Sequence, residues 1–195
     1  MARRSVQEIE SFCGWDYLLN LVDKCGWLRD KALISTLFET GGRVSEVLKL
    51  KAENFEVKDK FIIVKGMPVL KRYRKTGEYV NEDGKTKWIT KKTMGYRTFP
   101  IPLKEPLVPY MIEWLDYVKN GQLFRISRVQ VYRILRKIDS DIYPHWFRAQ
   151  RASQLALEYG FDVHDLVEFF DWRDLKTAIH YSRKGWRGLA AKMAL

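Results

Sequence analysis

Residues 29–50 read RDKALISTLFETGGRVSEVLKL, and this stretch decides the fold class. Leu33, Ile34, Leu37 and Phe38 fall at the three- and four-residue spacing of one helical stripe. Gly41-Gly42 breaks the stripe, and a further helix is expected from about Arg43 onward. On the N-terminal side, Val6 to Cys25 carries Ile9, Phe12, Cys13, Leu18, Leu19 and Val22 near a 3.6-residue period, with Gly26 as a stop. On the C-terminal side the pattern predicts helices over Glu105–Lys119, Ser127–Lys137, His145–Tyr159, Asp162–Phe170 and Asp174–Lys184, with prolines at several of the boundaries. Between the two helical parts, Phe61–Val64 is rich in β-branched residues and Tyr96–Ile101 alternates. These two runs predict paired strands, with Asn81-Glu82-Asp83-Gly84 as the turn at the tip of the segment between them. The fold expected is mainly α with a small antiparallel β-sheet. It forms one domain over 1–195: a helical lead-in at 1–28, a basic hairpin insertion at 66–95 and a C-terminal tail at 182–195.

Composition narrows the class. Hydrophobic residues make up 46% of the 195 and aromatics 14%, too apolar for a disordered chain. No window offers 18 consecutive apolar residues, so no membrane span is expected. The start MARRSVQEIESF has no apolar run after its basic residues, unlike a secretory signal. Cys13 and Cys25 are too few for a disulfide framework and read as reduced thiols of a cytoplasmic protein. There is no glycine-rich phosphate loop, no His-Glu-x-x-His run and no cluster of Asp and Glu of a two-metal site, so neither metal nor cofactor is expected.

The formal charge is +11, from 35 Lys and Arg against 24 Asp and Glu, which favours a polyanionic partner. Met67 to Gly95 concentrates that charge. Lys71, Arg72, Arg74, Lys75, Lys85, Lys87, Lys91 and Lys92 oppose Glu78, Glu82 and Asp83, a net +5, interleaved with Tyr73, Tyr79 and Trp88. A solvated charged loop is one reading. An arm that tracks phosphates fits better, because closely spaced cations release counterions along a nucleic acid backbone.

Three stretches carry the remaining chemistry: Gly41 to Leu48, Pro144-His145-Trp146-Phe147-Arg148, and Asp171-Trp172-Arg173 followed by His180-Tyr181-Ser182-Arg183. His145 and Arg148 are three apart and project from one helix face. Two guanidinium groups, from Arg43 and Arg148, can grip one phosphate from two sides through paired hydrogen bonds. His145 can donate to a non-bridging oxygen, and Tyr181 could be the nucleophile. Taken singly, each has a plainer reading: Arg43 as an ion pair with Glu46, His145 as a helix N-terminal residue, Trp172 as core, Tyr181 as one of ten tyrosines.

In order and spacing these residues resemble the tyrosine recombinases, the phage-integrase family. Thr40-Gly41-Gly42-Arg43-Val44-Ser45-Glu46 is similar to the family's T-G-x-R-x-S-E stretch, and His145-x-x-Arg148, Trp172 and Tyr181 follow in its order, the last two nine apart. The resemblance runs from about Arg29 to Lys184, and the last third looks most like integrases of archaeal viruses and plasmids. It implies a tyrosine-recombinase catalytic domain that cleaves and rejoins DNA through a 3′-phosphotyrosine. Arg43, Lys65, His145, Arg148, Trp172 and Tyr181 would be catalytic, with Glu46 orienting Arg43 or its neighbours. Lys65, in Val64-Lys65-Gly66, matches the family's hairpin lysine best, with Lys71, Lys91 and Lys92 as rivals. Lys71, Arg72, Arg74, Lys75, Lys91 and Lys92 would bind DNA.

The sequence departs from the family at Ala149, where His is frequent, at Trp172, where His is commoner, and in the enlarged hairpin. The 28 residues before Arg29 are too few for the family's usual upstream DNA-binding domain. The partner implied is double-stranded DNA in the cytoplasm, with a tetramer on DNA and a monomer or weak oligomer when free. A nicking-closing enzyme like type IB topoisomerases, and a DNA-binding module without catalysis, are the alternatives.

Overall fold

The structure is a computed structural model, describing residues 12–82, 85–173, 175–181 and 193, with backbone alone at 71–82, 85 and 87–94. The chain runs α1 (Trp15–Asp23), α2 (Leu28–Thr40), α3 (Val44–Val47), a 3₁₀ turn (Ala52–Asn54), β1 (Phe55–Val57), β2 (Phe61–Glu82), β3 (Lys85–Pro102), α4 (Val108–Val118), α5 (Arg128–Ile138), α6 (Pro144–Glu158), α7 (Val163–Phe170) and α8 (Leu175–Tyr181). The expected mainly-α class with one small antiparallel sheet is the one observed, in the order β1-β2-β3. Among the described residues no helix is long and apolar enough to cross a membrane.

The core forms around α2, which is buried from Ala32 to Thr40 and packs against α1, α4 and α6. A helix buried on all sides must settle its own polar side chains. Ser35, Thr36 and Thr40 do so by donating to the carbonyls of Lys31, Ala32 and Thr36, at 2.9, 2.7 and 2.6 Å. Helix α6 is buried from Phe147 to Ala156 and brings Arg148 and Arg151 into the interior.

Three differences from the sequence reading have local causes. Helix α1 starts at Trp15, after Gly14 at φ 89°; the part expected before residue 12 lies outside the described residues, as does residue 174 and the end of the last helix beyond Tyr181. Strand β1 is only three residues long, below what alternation can reveal. The basic segment continues the two strands. After register shifts between Val64 and Met67 and between Val69 and Arg74, pairing runs unbroken from Arg74↔Thr93 to Glu82↔Lys85. Gly84 and Asp83, half of the expected turn, lie outside the described residues.

The glycine break ends α2 in the way its sequence suggests. Gly41 caps the helix at φ 53°, a left-handed conformation, and its N–H returns to the Phe38 carbonyl. A Cβ on Gly41 would meet Phe170 Cε1 at 2.3 Å, and one on Gly42 would meet Met67 Cε at 2.2 Å. Gly41→Ala therefore combines a disfavoured φ with an aromatic ring that cannot easily withdraw. A loss of about 2–4 kcal/mol is expected, from overpacking plus left-handed strain. Urea unfolding checks it, and an unchanged midpoint would contradict the close packing of Gly41 on Phe170.

Candidate active site

Arg43 stands at the N-cap of α3, where Glu46 holds it from below. The Glu46 carboxylate accepts from Arg43 Nη1 at 2.8 Å, from the Arg43 backbone N–H at 2.9 Å, and from the Leu70 N–H at 3.2 Å. Glu46 is 1% exposed while the Arg43 side chain keeps 27%. The plain reading of Arg43 as an ion pair holds, and the carboxylate leaves part of the guanidinium open.

Arg148 lies one turn along α6 from His145. Its side chain is 2% exposed and donates from Nη1 to the Gly41 carbonyl at 2.6 Å and from Nη2 to the Phe170 carbonyl at 3.4 Å. The guanidinium also sits over the rings of Phe170 and Trp172, at 4.7 and 5.5 Å. His145 is exposed on the first turn of the same helix, with Pro144 at its first position.

Trp172 follows α7 directly and is buried. Its ring is sandwiched between Phe170, centroids 4.6 Å apart, and Tyr181, centroids 5.5 Å apart, both near parallel. Tyr181 ends α8, half-buried, with the His180 ring edge-on at 5.3 Å. The Arg148 guanidinium and the Tyr181 ring both pack on Trp172. Trp172 thus fills the core role of its plainer reading.

Arg97 on β3 joins this group, and the sequence reading passed over it. Its parity was visible: Arg97, Phe99 and Ile101 are buried while Tyr96, Thr98 and Pro100 are exposed, so Arg97 belongs to the core face of the strand. Burial first, then repulsion from Arg97 and Arg43, pushes the Arg148 guanidinium down to about 9, against the pull of Glu46 and of a Tyr181 phenolate. Burial likewise pushes Arg97 down to about 10, with Arg43 adding repulsion and Glu46 and Asp171 opposing it. Three guanidinium groups therefore couple with two carboxylates, an arrangement that favours an added anion.

Lys65 makes a different set of contacts. Its ammonium is 2.5 Å from Glu56 Oε2 of β1, and its side chain is 57% exposed. The Asn54 side chain donates to its carbonyl at 2.8 Å. The structure brings Arg43, Glu46, Arg148, Trp172 and Tyr181 together and ties Lys65 to the outer strand. Lys71 and Arg72 fall in the register shift of the hairpin, whereas Arg74, Lys75, Lys91 and Lys92 lie on its paired part, with Lys75 directly opposite Lys92.

A second basic surface was also passed over. Arg128, Arg133, Arg136 and Lys137 are exposed on α5, with Arg125 just before it, while Val131 and Leu135 face the core. Among the described residues no group of three or more His, Cys, Asp and Glu is placed to hold a metal ion.

Comparison with known proteins gives this arrangement its context. The sequence profile of the phage integrase family matches residues 15–185. The tyrosine recombinase XerC of Thermodesulfovibrio yellowstonii is 30% identical over 166 residues, covering 82% of this chain and 52% of that protein. The tyrosine recombinase XerA of Pyrococcus furiosus is 28% identical over 173 residues, covering 80% and 50%. The chain spans about half the length of the curated relatives it matches. A crystal structure of XerA recombinase shares the fold at TM-score 0.64 and 18% identity, over 99% of this chain and 65% of that one. XerH site-specific recombinase in a post-cleavage complex with a palindromic difH substrate does so at TM-score 0.66 and 17% identity, over 100% and 55%. With its profile matched over most of its length, the chain belongs to the phage integrase family.

Proposed function

We propose that the chain is the catalytic part of a site-specific DNA recombinase that acts on double-stranded DNA in the cytoplasm. The observation that carries this reading is the stack of Tyr181 on Trp172, a ring that also meets the Arg148 guanidinium, with Arg43 acting on the same buried charge. Structural neighbours bound to DNA support it, XerH recombinase with its difH substrate and the Tn1549 integrase with circular intermediate DNA.

In the proposed reaction the Tyr181 phenol gives its proton to solvent and its oxygen attacks a DNA phosphorus. The Oη–P bond forms, the P–O5′ bond breaks, and the strand is left as a 3′-phosphotyrosine and a 5′-hydroxyl. A free phenol has a pKa of about 10, so the neighbouring cations are needed to favour the phenolate. Arg43 and Arg148 neutralise the charge that grows on the non-bridging oxygens, Arg148 by releasing its long Nη2 contact to the Phe170 carbonyl, 3.4 Å, and His145 donates to one of them. Glu46 orients Arg43. Lys65 protonates the departing 5′-oxygen as general acid; its exposed side chain must leave Glu56 to do so. Trp172 fixes the plane of the nucleophile. The ester conserves the bond energy for rejoining, with no cofactor required.

The hairpin lysines and arginines and the basic face of α5 supply the phosphate contacts that position the duplex. A tetramer on DNA and a monomer or weak oligomer in its absence complete the proposal.

A nicked suicide duplex, whose cleavage releases a short 5′-hydroxyl fragment, tests it. A covalent protein–DNA species on a denaturing gel, mapped to the peptide holding Tyr181, is the expected result. DNA binding with no such species would favour the module without catalysis. Relaxation of supercoiled DNA without exchange between two duplexes would favour a nicking-closing enzyme.

A further inference from the structure

Helices α2 and α7 end against each other. Both finish on a left-handed residue, Gly41 at φ 53° and Asp171 at φ 52°. The carbonyls at a helix C-terminus carry partial negative charge and lack intrahelical partners, so two such ends brought together repel and need donors. Two buried guanidinium groups supply them, one rung above the other. Arg97 donates from Nη2 to the Thr40 carbonyl at 2.7 Å and from Nη1 to the Phe169 carbonyl. Arg148 donates to the next carbonyl on each side, those of Gly41 and Phe170.

We propose that Arg97 is a positioning residue for strand cleavage, holding the end of α2 to the end of α7 so that Arg43 and the Trp172–Tyr181 stack face one phosphate. The inference rests on the recombinase reading and deepens it. Arg43 lies three residues beyond Thr40, and Trp172 three beyond Phe169, so the Arg97 rung sets the separation of the two segments that carry the cleavage residues. Arg97 is 6% exposed and both terminal nitrogens are engaged, so it acts through backbone rather than on the phosphate. The Phe99 ring under its guanidinium, 4.3 Å away, and the Met67 sulfur at 3.3 Å from Nη2 fix the plane of the fork. A lysine ammonium keeps the charge but cannot span two carbonyls with a planar fork.

Arg97→Lys and Arg97→Gln in the full chain test it, by single-turnover trapping on the nicked suicide duplex. The amplitude reads the fraction of competent folded molecules and the rate constant reads catalysis. Both variants should bind the duplex within about twofold of the parent, keep most of the amplitude, and lose roughly 10- to 100-fold in rate constant, with Lys giving no rescue. A second readout needs no catalysis. Amide exchange in the DNA-free protein should quicken together at Gly42, Arg43 and Trp172 in both variants, with the middle of α2 staying protected. An unchanged rate constant at lowered amplitude, rescue by Lys, unchanged exchange at those amides, or failure of both variants to fold would each overturn the positioning role. Absence of an adduct from the parent would instead sink the recombinase reading, and the exchange pattern would still decide what Arg97 holds.

Discussion

Tyr181→Phe should bind duplex DNA as the parent does and form no covalent adduct. The substitution removes one oxygen and keeps the ring that stacks on Trp172 at 5.5 Å and meets His180 edge-on at 5.3 Å. Packing is preserved, so a stability change beyond about 1 kcal/mol is not expected for an isosteric ring. The proposed nucleophile is lost outright, so trapping should fall to background. The shifted tyrosines among the described residues point the same way. Burial and then a hydrogen bond to Glu105 drive the Tyr159 phenol well above its ordinary value, and burial followed by Asp139 pushes Tyr17 up to about 12. Neither is prepared to replace Tyr181. Adduct formation by Tyr181→Phe at the parent's rate would remove Tyr181 from the mechanism.

Arg151→Leu is expected to be the most destabilising substitution. Arg151 is fully buried, and its Nη1 lies 2.6 Å from Glu105 Oε2 and 3.1 Å from Glu39 Oε2, with Gln154 Oε1 at 3.0 Å. Removing the cation leaves two buried acids without a counter-charge, a loss of about 3–5 kcal/mol, comparable with much of an ordinary domain's stability. Replacing all three charged residues by apolar ones of similar volume should cost far less, because no buried charge is stranded. Urea denaturation of the single and triple variants distinguishes the two; equal losses would mean that the site is lost packing rather than stranded charge.

The same triad shapes the pH profile. Burial raises the Glu39 carboxyl well above its ordinary value despite Arg151, and the neighbouring Glu105 adds to the rise. Burial also presses Glu105 upward, but the bond from Glu39 and the charge of Arg151 win and hold it below its ordinary value. A depressed acid stabilises the fold above its unfolded pKa, about 4.3 for Glu, and that contribution is lost as pH falls through the folded value. A raised acid does the reverse: its contribution is present below the unfolded pKa and is lost as pH rises through the raised folded value. Stability should therefore decline on both sides. Glu39→Gln, which keeps a neutral donor, should flatten the alkaline decline and leave the acid one. Thermal midpoints across pH check this, and an unchanged alkaline limb would show that Glu39 is ionised in the fold.

How much of this was legible in the sequence depends on how local each signal is. The stripe at Leu33, Ile34, Leu37 and Phe38 and the Gly41-Gly42 break act within a few residues, and both are seen in place. The proposed cleavage residues were singled out by order and spacing along the chain, which a fold preserves. The hairpin was not read as continuous strand, because Lys71 to Lys75 lacks apolar alternation and strand pairing is set by the partner rather than by propensity. Arg97 was overlooked although its parity with Phe99 and Ile101 was available, since a lone Arg in a strand usually reads as a solvated side chain. The Lys65–Glu56 contact was beyond reach, because it depends on β1, a strand too short to announce itself.

One oxygen atom of Glu46 has two dependants. Oε1 accepts both the Arg43 guanidinium and the backbone N–H of Leu70, at the root of the long hairpin. The arm and the guanidinium therefore share an anchor, like a crank and a valve on one spindle. A displacement at the root of the ribbon would bear on Arg43 through a single buried carboxylate.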